Sequence, residues 1–170
     1  EQDWPQWRGP KRDGIWRESG LSPELKKNEQ GWIDLQWSVN IATGYSQPTV
    51  ADNRVYVTDR LDDPEEIERV HCFDFETGEK LWSHQYPAIY NIAYKSGPRA
   101  AVLIDRSRGA VSRAYGLGGV GHLHCFDAKN GEIVWKRDLA TEYQIEMPRW
   151  GIAASPMIEG DSLFLQIGGT

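Results

Sequence analysis

Two tetrads in this chain set a base, a thiol and a carboxylate side by side: His71, Cys72, Phe73 and Asp74, then His124, Cys125, Phe126 and Asp127. These are the residue types from which metal and nucleophile sites are built. His122 adds an imidazole two residues before His124, hence on the same side of a strand. A metal site needs convergence from several elements, so two imidazoles without a nearby third ligand favour a packing or surface role, and no metal site is expected. Two further patterns invite chemistry and lose it on inspection. Gly116, Gly118 and Gly121 fit G-x-G-x-x-G, but strand-like residues 122–126 follow where a phosphate-binding helix N-terminus is required, leaving a glycine-rich loop. Asp62, Asp63, Glu65, Glu66 and Glu68 offer oxygens enough for calcium, yet lack the EF-hand spacing and its central glycine, so residues 59–68 read as a solvated hairpin loop.

The tetrads belong to something larger. Residues 70–82 return as residues 123–135 without a gap, at an offset of 53, with seven of thirteen positions identical. Each copy reads as strand, tight turn, strand: a β-branched and aromatic run ends at Asp74 or Asp127, Gly78 or Gly131 supplies the turn, and a second run ends on Trp82 or Trp135. Four short strands fit in one period, which points to propeller blades rather than helical units. Blades bury their faces against neighbouring blades, so a tryptophan recurring in register is first of all packing material between them.

In chain order, residues 1–31 form a leader rich in Trp, Pro and Gly without strand alternation, an arm expected to lay its aromatics on the sheets. Residues 35–41 read as a lone closing strand, because Trp37 stands where Trp82 and Trp135 stand in theirs. One blade is expected over 46–86, a second over 99–139 and half a third over 151–170. Residues 102–115 are longer than their counterparts in the first blade and carry extra arginines. The fold class is therefore all-β: a propeller of four-stranded antiparallel blades, here an incomplete arc of about two and a half, where a closed ring takes about four to eight. Such an arc reads as part of a longer chain, with exposed faces and edges that make it marginal alone.

Composition agrees. Eight tryptophans, seventeen glycines and nine prolines suit an all-β protein with many turns. The net charge of −6, with signs mixed along the chain, disfavours nucleic acid as a partner. No apolar run approaches the ~18 residues a membrane span requires. Cys72 and Cys125 occupy equivalent places in neighbouring blades, too far apart for a disulfide, and read as small buried residues.

The pattern Asp-x-x-Thr-Gly-x-x-x-Trp is met in full by Asp74, Thr77, Gly78 and Trp82, and by Asp127, Gly131 and Trp135 with Asn130 as the one departure. It resembles the tryptophan-docking repeat of the pyrroloquinoline-quinone-like β-propeller family. The opening Trp4, Pro5, Gln6, Trp7, Arg8, Gly9 and Pro10, with residues 97–99, 121–124 and 154–156, is similar to the secreted bacterial branch of that family. The resemblance implies a periplasmic or extracellular protein. It also spans several functions: quinone- and calcium-dependent alcohol or glucose dehydrogenases, a non-catalytic lipoprotein of the outer-membrane β-barrel assembly machinery, and sensor domains joined to kinases. Fold leaves the choice open. The adjacent cysteine pair frequent in the alcohol dehydrogenases is missing here, which lowers that subgroup. The quinone with calcium thus stays a possible cofactor rather than an expected one.

Function is expected on the connections that lead into each blade's inner strand, which crowd one face in a propeller. Residues 86–94 and 143–150 are long and aromatic, and Tyr90, Asn91, Tyr94, Arg99, Glu146, Arg149 and Trp150 are the candidate contacts. Aromatics beside a few polar groups suit a protein strand, a sugar or another small polar ligand. The sequence reading is a non-catalytic binding or scaffold module.

Overall fold

The computed structural model describes residues 3–20, 24, 26–92, 97–107 and 111–168. Two four-stranded antiparallel sheets follow one another, each ordered by sequence. The first holds β1 (Thr49–Ala51), β2 (Arg54–Leu61), β3 (Ile67–Asp74) and β4 (Lys80–Pro87); the second holds β5 (Leu103–Asp105), β6 (Arg113–Leu117), β7 (His122–Asp127) and β8 (Ile133–Asp138). A two-stranded sheet of β9 (Met157–Glu159) and β10 (Ser162–Phe164) comes third. These are the blades of a partial propeller. Asp52 and Asn53 join β1 to β2 with φ of 53° and 56°, the paired left-handed geometry that lets a two-residue turn match strand twist.

The repeated stretch proves to be one transverse row of side chains. Tyr56, Cys72 and Trp82 lie opposite one another across β2, β3 and β4; Tyr115, Cys125 and Trp135 do the same across β6, β7 and β8. A register shift follows the cysteine in both blades. The first row faces the second blade and builds the main core with Val70, Val102, Ile104, Ala114 and Phe126. Both cysteines are buried thiols outside any disulfide, and burial pushes the Cys72 thiol up to about 12. A thiol so placed is no nucleophile.

Two of the indoles, Trp37 and Trp82, are received by the following blade. Trp82 Nε1 donates to Ala128 O at 3.1 Å, where the Tyr56 hydroxyl also donates, and Trp37 Nε1 donates to Phe75 O at 2.8 Å. Beneath the rings lie Gly131 and Gly78, with φ of +76° and +72°; a Cβ on either would stand 2.6 Å from the indole. Asp74 holds its turn by accepting from the Thr77 and Glu76 N–H groups, and Asp127 accepts from Lys129 N–H at 2.8 Å.

The structure shortens one expected loop and adds detail elsewhere. Residues 35–41 carry no strand ladder within the described residues; Trp37 reaches its glycine from outside the sheets, and a bridge joins Thr43 to Arg60. The solvated loop expected over 59–68 shrinks to residues 62–66, because β2 and β3 run on and bury Asp59 and Glu68 completely. A short helix, α1 (Leu139–Tyr143), follows β8, started by Asp138 accepting from Thr141 N–H. The arm does more than lie on the sheets: Trp4 pairs with Val50 on the inner edge of β1, and Ile104 N–H of β5 donates to Pro5 O at 2.8 Å.

Candidate functional site

The connections into β1, β5 and β9 meet on one face. Tyr45 N–H donates to Pro98 O at 2.9 Å, joining the first connection to the second. Ala101 N–H donates to Ser155 Oγ at 2.9 Å, joining the second to the third. Ile152 N–H donates to Gly119 O at 2.8 Å, tying the third to the turn before β7.

Under this face lies a floor of buried charge, which the sequence did not disclose. Glu68 is fully buried and accepts three bonds: from Tyr86 Oη at 2.9 Å, Tyr90 Oη at 2.5 Å and Gly119 N–H at 3.1 Å. A buried carboxylate costs several kcal/mol unless its lone pairs are met, and here three donors from two blades meet them. Gly118 and Gly119 are required by that approach, since a Cβ at Gly118 would stand 2.2 Å from Glu68 Oε2 and one at Gly119 2.9 Å from Tyr90 Oη. Asp59, also fully buried, accepts from Arg69 Nε at 2.8 Å, from Ala42 N–H at 2.7 Å and lies 3.0 Å from His71 Nε2. Burial opposes its charge, but the bonds from His71, Arg69 and Ala42 outweigh it and hold the carboxyl well below the usual range. Arg60 completes the floor, paired with Asp62 and Glu66 and set 4.5 Å below the Tyr90 ring.

The candidate residues divide between floor and face. Tyr90 points inward, and its hydroxyl is taken by Glu68. Asn91 is exposed. Tyr94 lies outside the described residues. Arg99 sits 5.2 Å over the Tyr45 ring and donates to Gly97 O. Glu146 and Arg149 line an open cavity of about 960 Å³ with Met147, Pro148 and Ile152, and Arg149 lies 5.5 Å over the half-exposed Trp150 ring. Exposed Ile89, which residue-type reasoning passed over, stands 80% accessible beside Tyr90. Tyr90 and the loop bearing Arg149 and Trp150 are thereby brought to one place through Gly119, while Arg99 joins the face through Tyr45.

The fit of a quinone with calcium rests on donors. Among the described residues no trio of His, Cys, Asp or Glu is placed to hold a cation. The two fully buried carboxylates, Asp59 and Glu68, are already engaged by intramolecular donors. His122 and His124 are instead part of an aromatic seam between the blades, with His124 4.4 Å from Tyr86 and 5.3 Å from His84.

Comparison with known proteins bears on the fold. The profile of a family described as outer membrane protein assembly factor BamB matches residues 66–169. No curated protein matches the chain. Similar solved structures include the quinohemoprotein alcohol dehydrogenase from Comamonas testosteroni, at 19% identity and a TM-score of 0.52 over 75% of this chain and 18% of that one. A europium-containing methanol dehydrogenase gives 16% identity and 0.54 over 78% and 22%. BamB from Moraxella catarrhalis gives 16% identity and 0.50 over 81% and 35%. The chain thus spans about a third or less of each, and likenesses at this identity speak for the fold alone. Repeat, blade and profile agree: the chain belongs to the pyrroloquinoline-quinone-like β-propeller repeat family.

Proposed function

We propose that this chain is part of a non-catalytic binding module of an exported bacterial protein, and that its loop face captures an extended segment of a protein partner. The observation that carries the reading is the convergence of three connections, locked from beneath by Glu68, on a face that presents Tyr45, Ile89, Arg149 and Trp150. Rigid aromatic anchors beside a guanidinium are what hot spots are made of, and a preorganised loop loses little entropy on binding. The match to an outer-membrane assembly factor profile supports a protein rather than a sugar as the partner, and points to outer-membrane β-strands as the first probe. No helix among the described residues is long and apolar enough to cross a membrane.

The test is fluorescence anisotropy with labelled synthetic peptides of alternating aromatic and polar residues, patterned on an outer-membrane strand, against the full-length protein. Trp150→Ala and Ile89→Asp are expected to weaken binding at least fivefold each with the melting temperature kept. Unchanged affinity in both removes this face. Stoichiometric uptake of pyrroloquinoline quinone with calcium, followed by dye reduction with simple alcohols, overturns the non-catalytic reading.

A further inference from the structure

We propose that the inner edge of β1, β5 and β9 is a peptide-binding groove, filled in this chain by its own N-terminal arm and open to the same arm of a second copy. The first strand of a blade has a neighbour on one side only, so its other edge presents unpaired N–H and C=O groups. The arm answers all three. Trp4 and Val50 exchange two backbone bonds, Trp4 N–H to Val50 O at 2.7 Å and Val50 N–H to Trp4 O at 3.0 Å. Pro5 contributes only a carbonyl, and that carbonyl takes Ile104 N–H of β5. Arg12 crosses to β9, donating to Ile158 O and lying 3.2 Å from Glu159. Asp3 pairs with Arg106, which also meets Asp52 at 2.9 Å, so the arm lies at the end of the inner strands where their turns follow, away from the loop face.

Main-chain bonding of this kind is strand addition, which supplies affinity to any extended peptide; side chains then select which one. The selectivity here is built into the arm's fold. Trp4 stacks on Trp16 at 5.4 Å, and the chain doubles back at Gly9, where a Cβ would stand 2.8 Å from the Trp4 ring. A Trp-Pro dipeptide followed by glycine five residues on is therefore the recognised pattern.

What makes the site exchangeable is the tether. The described residues of 14–36 are exposed with the single exception of Asn28, so the arm can leave while both complete blades keep their packing. A vacated groove then accepts the arm of another copy through the same bonds, and a long tether makes that swap sterically cheap.

The experiment compares the intact chain with a variant lacking residues 3–16, using a fluorescein-labelled peptide of residues 3–18. The peptide is expected to bind the shortened chain at least tenfold more tightly than the intact one, which carries its own competitor, and to lose that affinity when its Trp4 is replaced by alanine. At high concentration the intact chain is expected to show dimers that excess peptide dissolves. Equal binding to both chains, or no binding by a shortened chain that keeps its near-UV circular dichroism, overturns the proposal. The double variant Trp4→Ala, Arg12→Ala retains the full length and makes the same test should the deletion not fold: peptide binding no tighter than in the intact chain also overturns it. Neither readout involves Trp150 or Ile89, so failure here leaves the loop face untouched.

Discussion

A side chain at position 131 would have nowhere to go. Its Cβ would press on the buried Trp82 ring at 2.6 Å, from a backbone φ of +76° that L-residues avoid. Strain of φ costs ~1 kcal/mol and overpacking 1–3 more, so Gly131→Ala is expected to destabilise the chain by ~2–4 kcal/mol in urea unfolding. Gly160→Ala makes the control. It shares a positive φ but meets nothing within 4 Å, and should lose only ~1 kcal/mol. A similar loss at both positions would mean that the glycine is chosen for the turn and not for the indole. The repeated His-Cys-Phe-Asp stretch was legible as structure for the same reason, since residues that recur in register with Trp serve a recurrent contact. Its Tyr56 and Tyr115 partners were not, because a longer β5–β6 connection followed by a shorter β6–β7 hairpin puts them off the offset of 53.

At the scale of elements, Glu68 joins β3, the connection bearing Tyr90, and the turn before β7. Glu68→Gln keeps the shape but turns one acceptor into a donor that faces other donors. Leaving such groups unmet costs 1–3 kcal/mol apiece, so a loss of ~2–4 kcal/mol is expected, with faster hydrogen exchange at the Gly119 amide than at β2 or β3. Exchange that stays slow at Gly119 would show that the turn holds itself. In sequence Glu68 sits among five acids and reads as solvated. Its burial depends on Gly118 and Gly119, some fifty residues away, a pairing that local pattern does not carry. The face above was easier to locate, because connections to inner strands stand out as unrepeated, aromatic segments. Their division into inward Tyr90 and outward Trp150 required the neighbouring blade.

Taken whole, the molecule is a stack of blades whose seams decide its response to acid. His124, buried against His84, Tyr86, Phe126 and His122 with Lys136 nearby, has its pKa lowered to about 4 by burial, with the neighbouring imidazoles and Lys136 adding. His84 is lowered too, by burial and Lys136. An unfolded chain takes up these protons near pH ~6.5 and the folded one resists, so stability falls as pH drops from about 6.5 to about 4. Asp59 acts in another window: its lowered pKa adds stability that is complete above the unfolded carboxylate value of ~3.9 and is lost below it. His124→Phe is expected to narrow the gap in melting temperature between pH 7.5 and 5.0; an unchanged gap would place the acid sensitivity elsewhere. The same seams impose a direction in time. Trp37 is made long before Gly78, and Trp82 long before Gly131, so as the chain leaves the ribosome each indole emerges ahead of the glycine that will cover it. Folding that proceeds from the N-terminus therefore leaves Trp82 uncovered until the turn bearing Gly131 is in place.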